Sequence, residues 1–333
     1  PVRPAQYSEI NNFYTATVYE KGAELVRMLA GRLGPEGFRR GMDRYFEHND
    51  GHAATLEDFL SALGEANDTD LMPYLAWYGQ AGTPRLRAHG HYDAARREYT
   101  LNLTQHAPGG SGKPARAPLP IPVKLALFSR DGEMLPLRLD GGPADGAREH
   151  VVVLAQTEQS LVFGNIDGAP VPSLLRGFSA PVILECDYSP AELALLLTHD
   201  PDGFNRWEAG QLLATRAYES LRDGAAGEAL QAWCEALARL FHDGCVEDAL
   251  LADLRTPPGE IELAEHEAAV DPERIHDLHQ ELQRRLAGKL GAEALALRYQ
   301  TLAARTTIAL DAPSQARRRL KRRVLELLEL CDA

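Results

Sequence analysis

The sequence predicts α and β modules in series: a helical segment, an antiparallel β-sandwich, then an α-helical superhelix or solenoid. Two changes of hydrophobic period carry that expectation. Apolar residues recur at three-to-four spacing over residues 8–81, alternate from Arg85 onward, and return to three-to-four spacing from Ser189 to the end. Length is the third observation, since 333 residues correspond to two or three domains at about 100–200 residues each.

A first helix is expected over residues 10–33. There Ile10, Phe13 or Tyr14, Val18, Leu25, Met28, Leu29 and Leu33 share a face, and Gly34-Pro35 stops it. Pro35 suits the first turn of a second helix, with Phe38, Met42 and Tyr45-Phe46 toward the core. Thr55 and Asp58 form a capping box, with Asp in place of Glu, ahead of Phe59, Leu60 and Leu63. Asp70 can cap a fourth helix carrying Leu71, Leu75 and Tyr78, which Gly79 and Gly82-Thr83-Pro84 end. Alternation then marks strands at 99–104, 121–127 and 135–139, with Asp131-Gly132 as a hairpin turn between the last two. Residues 150–154, 161–163 and 182–184 add short strands. About seven strands predict a sandwich of about 100 residues, with a flexible surface loop at 108–118. Helices are expected at 191–198, 205–220, 228–243, 246–254, 261–267, 271–290, 293–304 and 314–331. Their order, without a strict repeat, predicts the solenoid.

Composition narrows the function. Hydrophobic residues at 44% and charged residues at 25% match a soluble globular protein, and no apolar run approaches the roughly 18–20 residues of a membrane span. A net charge of −13 speaks against a general nucleic-acid binder, which needs a basic face. Cys186, Cys234, Cys245 and Cys331 are too scattered for a disulfide framework and form no C-x-x-C pair, so a reducing cytoplasm is the expected home. The chain opens Pro1-Val2-Arg3-Pro4, without Met or a signal pattern, and ends inside a helical pattern; a piece of a longer protein is expected.

No complete active site is legible from spacing. His266-Glu267-Ala268-Ala269-Val270 begins like H-E-x-x-H, but Val270 stands where the second imidazole must be, which leaves a solvated acidic turn. His48 and His52 are four apart, yet Asn49-Asp50-Gly51 breaks the helix between them. His276 and His279 are expected on an exposed charged face. Gly109-Gly110-Ser111-Gly112-Lys113 runs into Pro114 and cannot open a phosphate-binding helix. Arg317-Arg318-Arg319 and Lys321-Arg322-Arg323 form a solvated helix face, or else a patch for an anionic partner. Tyr14 and Tyr19 precede Lys21-Gly22-Ala23, a stretch that lets another backbone approach; each tyrosine is either a core aromatic with a satisfied hydroxyl or a catalytic group.

Val18-Tyr19-Glu20-Lys21-Gly22-Ala23 resembles the tyrosine motif of the zinc-dependent aminopeptidase N family of gluzincins, and Asn11-Asn12-Phe13-Tyr14 resembles the signature of its bacterial branch. Trp77-Tyr78-Gly79-Gln80-Ala81-Gly82-Thr83-Pro84 is similar to the end of that family's catalytic domain. Phe178-Ser179-Ala180-Pro181-Val182 is similar to its passage into the helical domain, and Asn205-Arg206-Trp207-Glu208-Ala209 to a landmark beyond. The resemblance spans essentially the whole chain, in order. It implies that residues 1–84 are the helical C-terminal part of a thermolysin-like catalytic domain. Residues 85–184 would then be an Ig-like β-sandwich and 185–333 the N-terminal part of an α-helical superdomain.

The resemblance also implies a Zn2+ cofactor. Neither G-x-M-E-N nor H-E-x-x-H occurs in this chain, so the metal ligands and general base would lie upstream of residue 1, and the chain alone would bind no metal and be inactive. Implied partners are peptide substrates with free N-termini and the upstream catalytic domain in cis, with neither nucleic acid nor membrane. Tyr19 would be the catalytic residue, its phenolic O–H donating to the oxyanion that forms when the peptide carbonyl is attacked. Asn11 and Tyr14 would bind substrate along the cleft, while Glu20 and Lys21 would be structural. The sandwich would act as a spacer, and the helical region would cap the active site. The alternative is a non-enzymatic helical-repeat and β-sandwich scaffold for protein binding.

Overall fold

Residues 10–21 do not join the first α-helix. Ile10–Phe13 makes a 3-10 turn, Thr17–Lys21 a π turn, and α1 runs over Gly22–Asn49. The expected helix over 10–33 is corrected in its first half because no residue of either turn is buried, and short helices draw their stability from the face they pack. Gly34, at φ 73° and ψ 166°, leaves the helical region ahead of Pro35, so the expected stop becomes a kink between two helical halves. α2 spans Leu56–Glu65; Thr55 Oγ1 accepts from Asp58 N at 3.1 Å and Asp58 Oδ2 accepts from Thr55 N at 2.8 Å. α1 meets α2 at Gly41, where a Cβ would stand 2.6 Å from Leu63 Cδ2 and 3.0 Å from its Cα. A side chain there would push the helices apart. Asp70 accepts from Met72 N at 2.9 Å, starting a 3-10 turn, Met72–Tyr74, that leads into α3, Leu75–Gly79.

Seven strands follow: β1 Arg85–Asp93, β2 Glu98–His106, β3 Ile121–Phe128, β4 His150–Leu154, β5 Glu158–Phe163, β6 Val171–Leu174 and β7 Ile183–Cys186. They form a four-stranded sheet, β5-β2-β1-β7, and a three-stranded sheet, β4-β3-β6. Pairing is antiparallel except between β1 and β7, which run parallel with Arg85 opposite Ile183. The strand expected at 135–139 makes no ladder: Pro136 has no N–H to give, and the segment is joined by isolated bridges, Met134 to Phe128 and Leu139 to Phe163, and by a bond from Leu137 N to Ala147 O at 2.7 Å.

Inner-face residues of both sheets, among them Leu86, Leu101, Phe163, Ile121, Val123 and Leu125, share one apolar core with Leu25, Leu29, Leu60, Leu63 and Trp77 of the helices. Two polar side chains are built into it. Trp77 Nε1 donates to Pro120 O at 2.9 Å. Gln105, 6% exposed, donates Nε2 to Leu119 O at 2.9 Å and Gln156 O at 2.8 Å and accepts from Leu119 N at 2.9 Å. Its amide thereby stitches β2 to the segments that flank the other sheet.

The structure is a computed structural model that describes residues 1–106, 117–140, 146–224, 227–244, 246–304 and 309–331. The expected loop at 108–118 falls outside the described residues except for Ala117 and Pro118, as do Gly109 to Pro114 and Cys245. Everything above belongs to one compact unit, Pro1–Asp187, and the remainder to a second, Tyr188–Ala333.

The second unit consists of α4 Pro190–His199, α5 Gly203–Arg222, α6 Glu228–Asp243, α7 Asp248–Leu254, α8 Glu260–Ala264, α9 Pro272–Leu290, α10 Ala292–Ala303 and α11 Ala312–Glu329. Ser189, Asp202, Asp271 and Asp311 cap four of these helices, accepting from the backbone N–H of Glu192, Asn205, Arg274 and Ser314 respectively. Among the described residues no helix is long and apolar enough to cross a membrane.

Gln105→Leu preserves bulk but leaves Leu119 N–H, Leu119 O and Gln156 O without a partner. At about 1–3 kcal/mol for each buried group orphaned, the first unit loses on the order of 3 kcal/mol or more. Trp77 is the one tryptophan between residues 1 and 187, so with Trp207 and Trp233 replaced by Phe its fluorescence in a urea titration reads that unit alone. An unmoved midpoint would rule out the stitch as a stabiliser.

Candidate functional site

The predicted site residues lie on the irregular stretch ahead of α1. Asn11 is exposed on the 3-10 turn; its backbone O accepts from Tyr14 N at 3.3 Å. Tyr14 leaves that turn at φ −83°, ψ 67°. Thr15 Oγ1 then accepts from Val18 N at 3.3 Å and starts the π turn that carries Tyr19. In an α-helix, residues five apart point roughly 140° away from each other at about 100° per residue. Here Tyr14 and Tyr19 stack instead, with ring centroids 6.4 Å apart and planes 29° apart. Phe13 meets Tyr14 edge-on at 6.0 Å and Tyr7 at 5.8 Å. Tyr7, Ile10, Tyr14 and Tyr19 are 54–61% exposed. Neither tyrosine is therefore a core aromatic of this chain, and among the described residues no hydrogen bond holds the Tyr19 hydroxyl.

The next residue but one anchors the turn. Lys21 Nζ donates to Gln80 O at 2.9 Å and Gly82 O at 3.2 Å, which clasps the π turn to the chain leaving α3. The expected close backbone approach at Gly22 does not occur among the described residues: a Cβ there would be in ordinary contact with Val2 Cγ1 at 3.6 Å. Further along α1, Arg27 carries a role that nothing in its spacing announces. It pairs with Glu24 at 2.6 Å, donates to Gly177 O at 2.6 Å and Phe178 O at 2.7 Å, and lies 4.8 Å from the centroid of the Phe178 ring. It holds a turn in which Leu175, Gly177 and Phe178 all have positive φ, a conformation that persists only where its surroundings enforce it. Ser179 Oγ completes the hold, donating to Pro122 O at 2.7 Å and accepting from Lys124 N at 3.1 Å.

The residues present do not fit a zinc site. Among the described residues no three His, Cys, Asp or Glu side chains converge. His276 Nδ1 lies 2.8 Å from Glu260, and His266 Nδ1 lies 3.6 Å from Glu219. His279 is not on an exposed face as expected: its side chain is 15% exposed, and burial pushes its imidazole below the usual range despite Glu260 nearby. The basic run is largely consumed within its own unit. Arg319 pairs with Asp253, Arg322 with Glu326 at 2.8 Å, Lys321 lies 5.1 Å from the centroid of the Tyr299 ring, and Arg323 is buried. In the 205–209 landmark, Arg206 donates to Leu197 O and Thr198 O and closes the end of α4.

Comparison with known proteins finds relatives along the whole chain. Residues 1–77 match the peptidase family M1 domain, 82–187 the domain of unknown function DUF3458, described as an Ig-like fold, and 190–333 its companion DUF3458_C, described as ARM repeats. Aminopeptidase N of Escherichia coli K12 is 38% identical over 301 residues, covering 89% of this chain and 34% of that protein. Aminopeptidase N of Caulobacter vibrioides is 39% identical over 329 residues, covering 98% of this chain and 37% of that protein. The crystal structure of Legionella pneumophila aminopeptidase A in complex with aspartic acid aligns at a TM-score of 0.84 and 27% identity, over 99% of this chain and 37% of that one. The chain is thus a homologue of aminopeptidase N over most of its length, and its residues 1–77 match the M1 peptidase domain. It spans about a third of the length of those curated relatives.

Lys21→Met removes the clasp without touching the tyrosines. Amides of residues 17–21 and 80–83 are expected to exchange about tenfold faster or more, the scale of one lost charge-assisted hydrogen bond. Unchanged exchange would mean that the turn holds itself.

Proposed function

We propose that the chain is part of a zinc metallo-aminopeptidase that removes N-terminal residues from peptides, and that it supplies the donor for the reaction's oxyanion through Tyr19. The observation that carries this is the exposed, uncommitted hydroxyl of Tyr19 on a π turn, within residues homologous to an M1 peptidase. Single π turns inside helical segments are frequent at functional sites. The turn brings Tyr14 beside Tyr19, so Tyr14 and Asn11 line the same side of a substrate cleft.

No step through the metal is assigned to this chain, whose described residues hold no ligand set. Zinc ligands and the general base belong to sequence preceding residue 1 in the parent. What this chain contributes is a phenolic O–H on a turn that Lys21 clasps to the chain leaving α3, its ring stacked on Tyr14. A donor already aimed at the developing charge needs little reorganisation as the reaction proceeds. The strands then serve as a spacer in a cytoplasmic enzyme that acts on short peptides and loose N-termini. Homology does not favour the scaffold alternative.

Tyr19→Phe in the intact enzyme is expected to lower kcat by about 10²–10³, near 3–4 kcal/mol, with metal content unchanged. An unaltered kcat sinks the assignment. Native mass spectrometry of the protein from its source cells is expected to show a chain much longer than 333 residues with one zinc. A metal-free chain of this length would return the scaffold.

A further inference from the structure

Two cations near Tyr19 grip the strand domain at separate places. Lys21, the last residue of the π turn, donates Nζ to Gln80 O at 2.9 Å and to Gly82 O at 3.2 Å. Farther along α1, Arg27 donates Nη1 to Gly177 O at 2.6 Å and Nη2 to Phe178 O at 2.7 Å. Gly82, Gly177 and Phe178 all fall within residues 82–187, the stretch that matches the Ig-like domain of unknown function. Every one of these acceptors is a backbone carbonyl. The grip therefore follows the path of the strand domain's main chain rather than any of its side chains.

The two gripped segments are distant in sequence but lead into neighbouring strands. The first runs into β1 and the second into β7, which pair in parallel with Arg85 opposite Ile183. Ile183 N donates to Pro84 O at 2.9 Å and Arg85 pairs with Glu185 at 2.8 Å, so the two strand starts are tied together. Ser179 anchors the second segment to the other sheet, through Pro122 O and Lys124 N. Both sheets thus contribute to one support beneath the start of α1. From Leu25 onward that helix is held by burial. The π turn ahead of it has no buried residue, and Tyr19 is 61% exposed, so the aim of the turn depends on its polar anchors.

We infer that the Ig-like domain, beyond separating its neighbours, is a platform that aims the oxyanion donor, with Lys21 and Arg27 as the positioning residues that pass its placement to Tyr19. The inference rests on Tyr19 being that donor. A reacting group displaced by about 1 Å can lose a large factor in rate, while ground-state binding of the substrate is little changed. The test is a mutant cycle in the intact enzyme. Lys21→Met is expected to lower kcat about tenfold, the scale of one lost charge-assisted hydrogen bond, with KM changed less than about twofold and metal content unchanged. Arg27→Met is expected to act in the same direction, and Lys21→Arg to recover most of the loss. In a Tyr19→Phe background each substitution is expected to change kcat less than about twofold, because the group that it positions is gone. A fluorotyrosine at position 19 is expected to shift its fluorine resonance in Lys21→Met and to regain it in Lys21→Arg. A loss of kcat equal in both backgrounds would overturn the inference, as would unaltered kcat in both single variants or an unmoved resonance. Tyr19→Phe with an unaltered kcat would instead overturn the donor reading, and this inference with it. If Lys21→Met does not fold, Arg27→Met carries the same cycle and the same resonance.

Discussion

An indole with no exposed surface still has an N–H to satisfy, and in the first unit that need ties helices to sheets. Trp77 Nε1 reaches Pro120 O, the carbonyl immediately before β3. Leaving that donor unpaired in an apolar core would cost on the order of 1–3 kcal/mol, so the bond fixes α3 at the head of the three-stranded sheet. The chain leaving α3 carries the Gln80 and Gly82 carbonyls that Lys21 grips. The location of the π turn is therefore inherited from a bond made deep in the core, since no residue of the turn is itself buried.

Two surfaces invited a functional reading, and the structure separates them. The basic run of α11 is drawn into ion pairs, a ring contact and a buried hydrogen-bond network within its own unit. The aromatic segment ahead of α1 is the reverse: Tyr7, Phe13, Tyr14 and Tyr19 touch one another in a chain of rings, yet three of the four are more than half exposed. Grouped exposed apolar surface of this kind marks a place where something else binds or packs, whereas a charge run on a helix can be spent locally.

Much of the fold was legible. Side-chain caps are local chemistry, so Thr55 with Asp58 could be read directly, and helical period located every helix of the second unit to within a few residues. Elements whose identity depends on tertiary cover were not legible. All four positions of β6 are buried, including Pro172, so no alternation announces it. The 135–139 run alternates correctly but lacks a donor at Pro136, and its backbone bonds go to three separate segments, at Leu127, Ala147 and Gly164, rather than to one strand. At the site, tyrosines five apart say nothing of stacking until the turn between them is known to be wide. Arg27 offers no pattern at all, because its acceptors are backbone carbonyls about 150 residues away.

That last separation has a consequence for how the protein is made. The guanidinium that steadies α1 has its carbonyl partners 150 and 151 residues later in the chain. At translation rates of about 5–20 residues per second, those partners emerge roughly 8–30 s after Arg27 does. During that interval the helix that follows Tyr19 exists without its distant brace, and the strained turn at Leu175 to Phe178 is the last piece to lock it. Synthesis thus runs from the candidate site toward its support, and the nascent segment must wait, uncovered, for the second sheet to arrive.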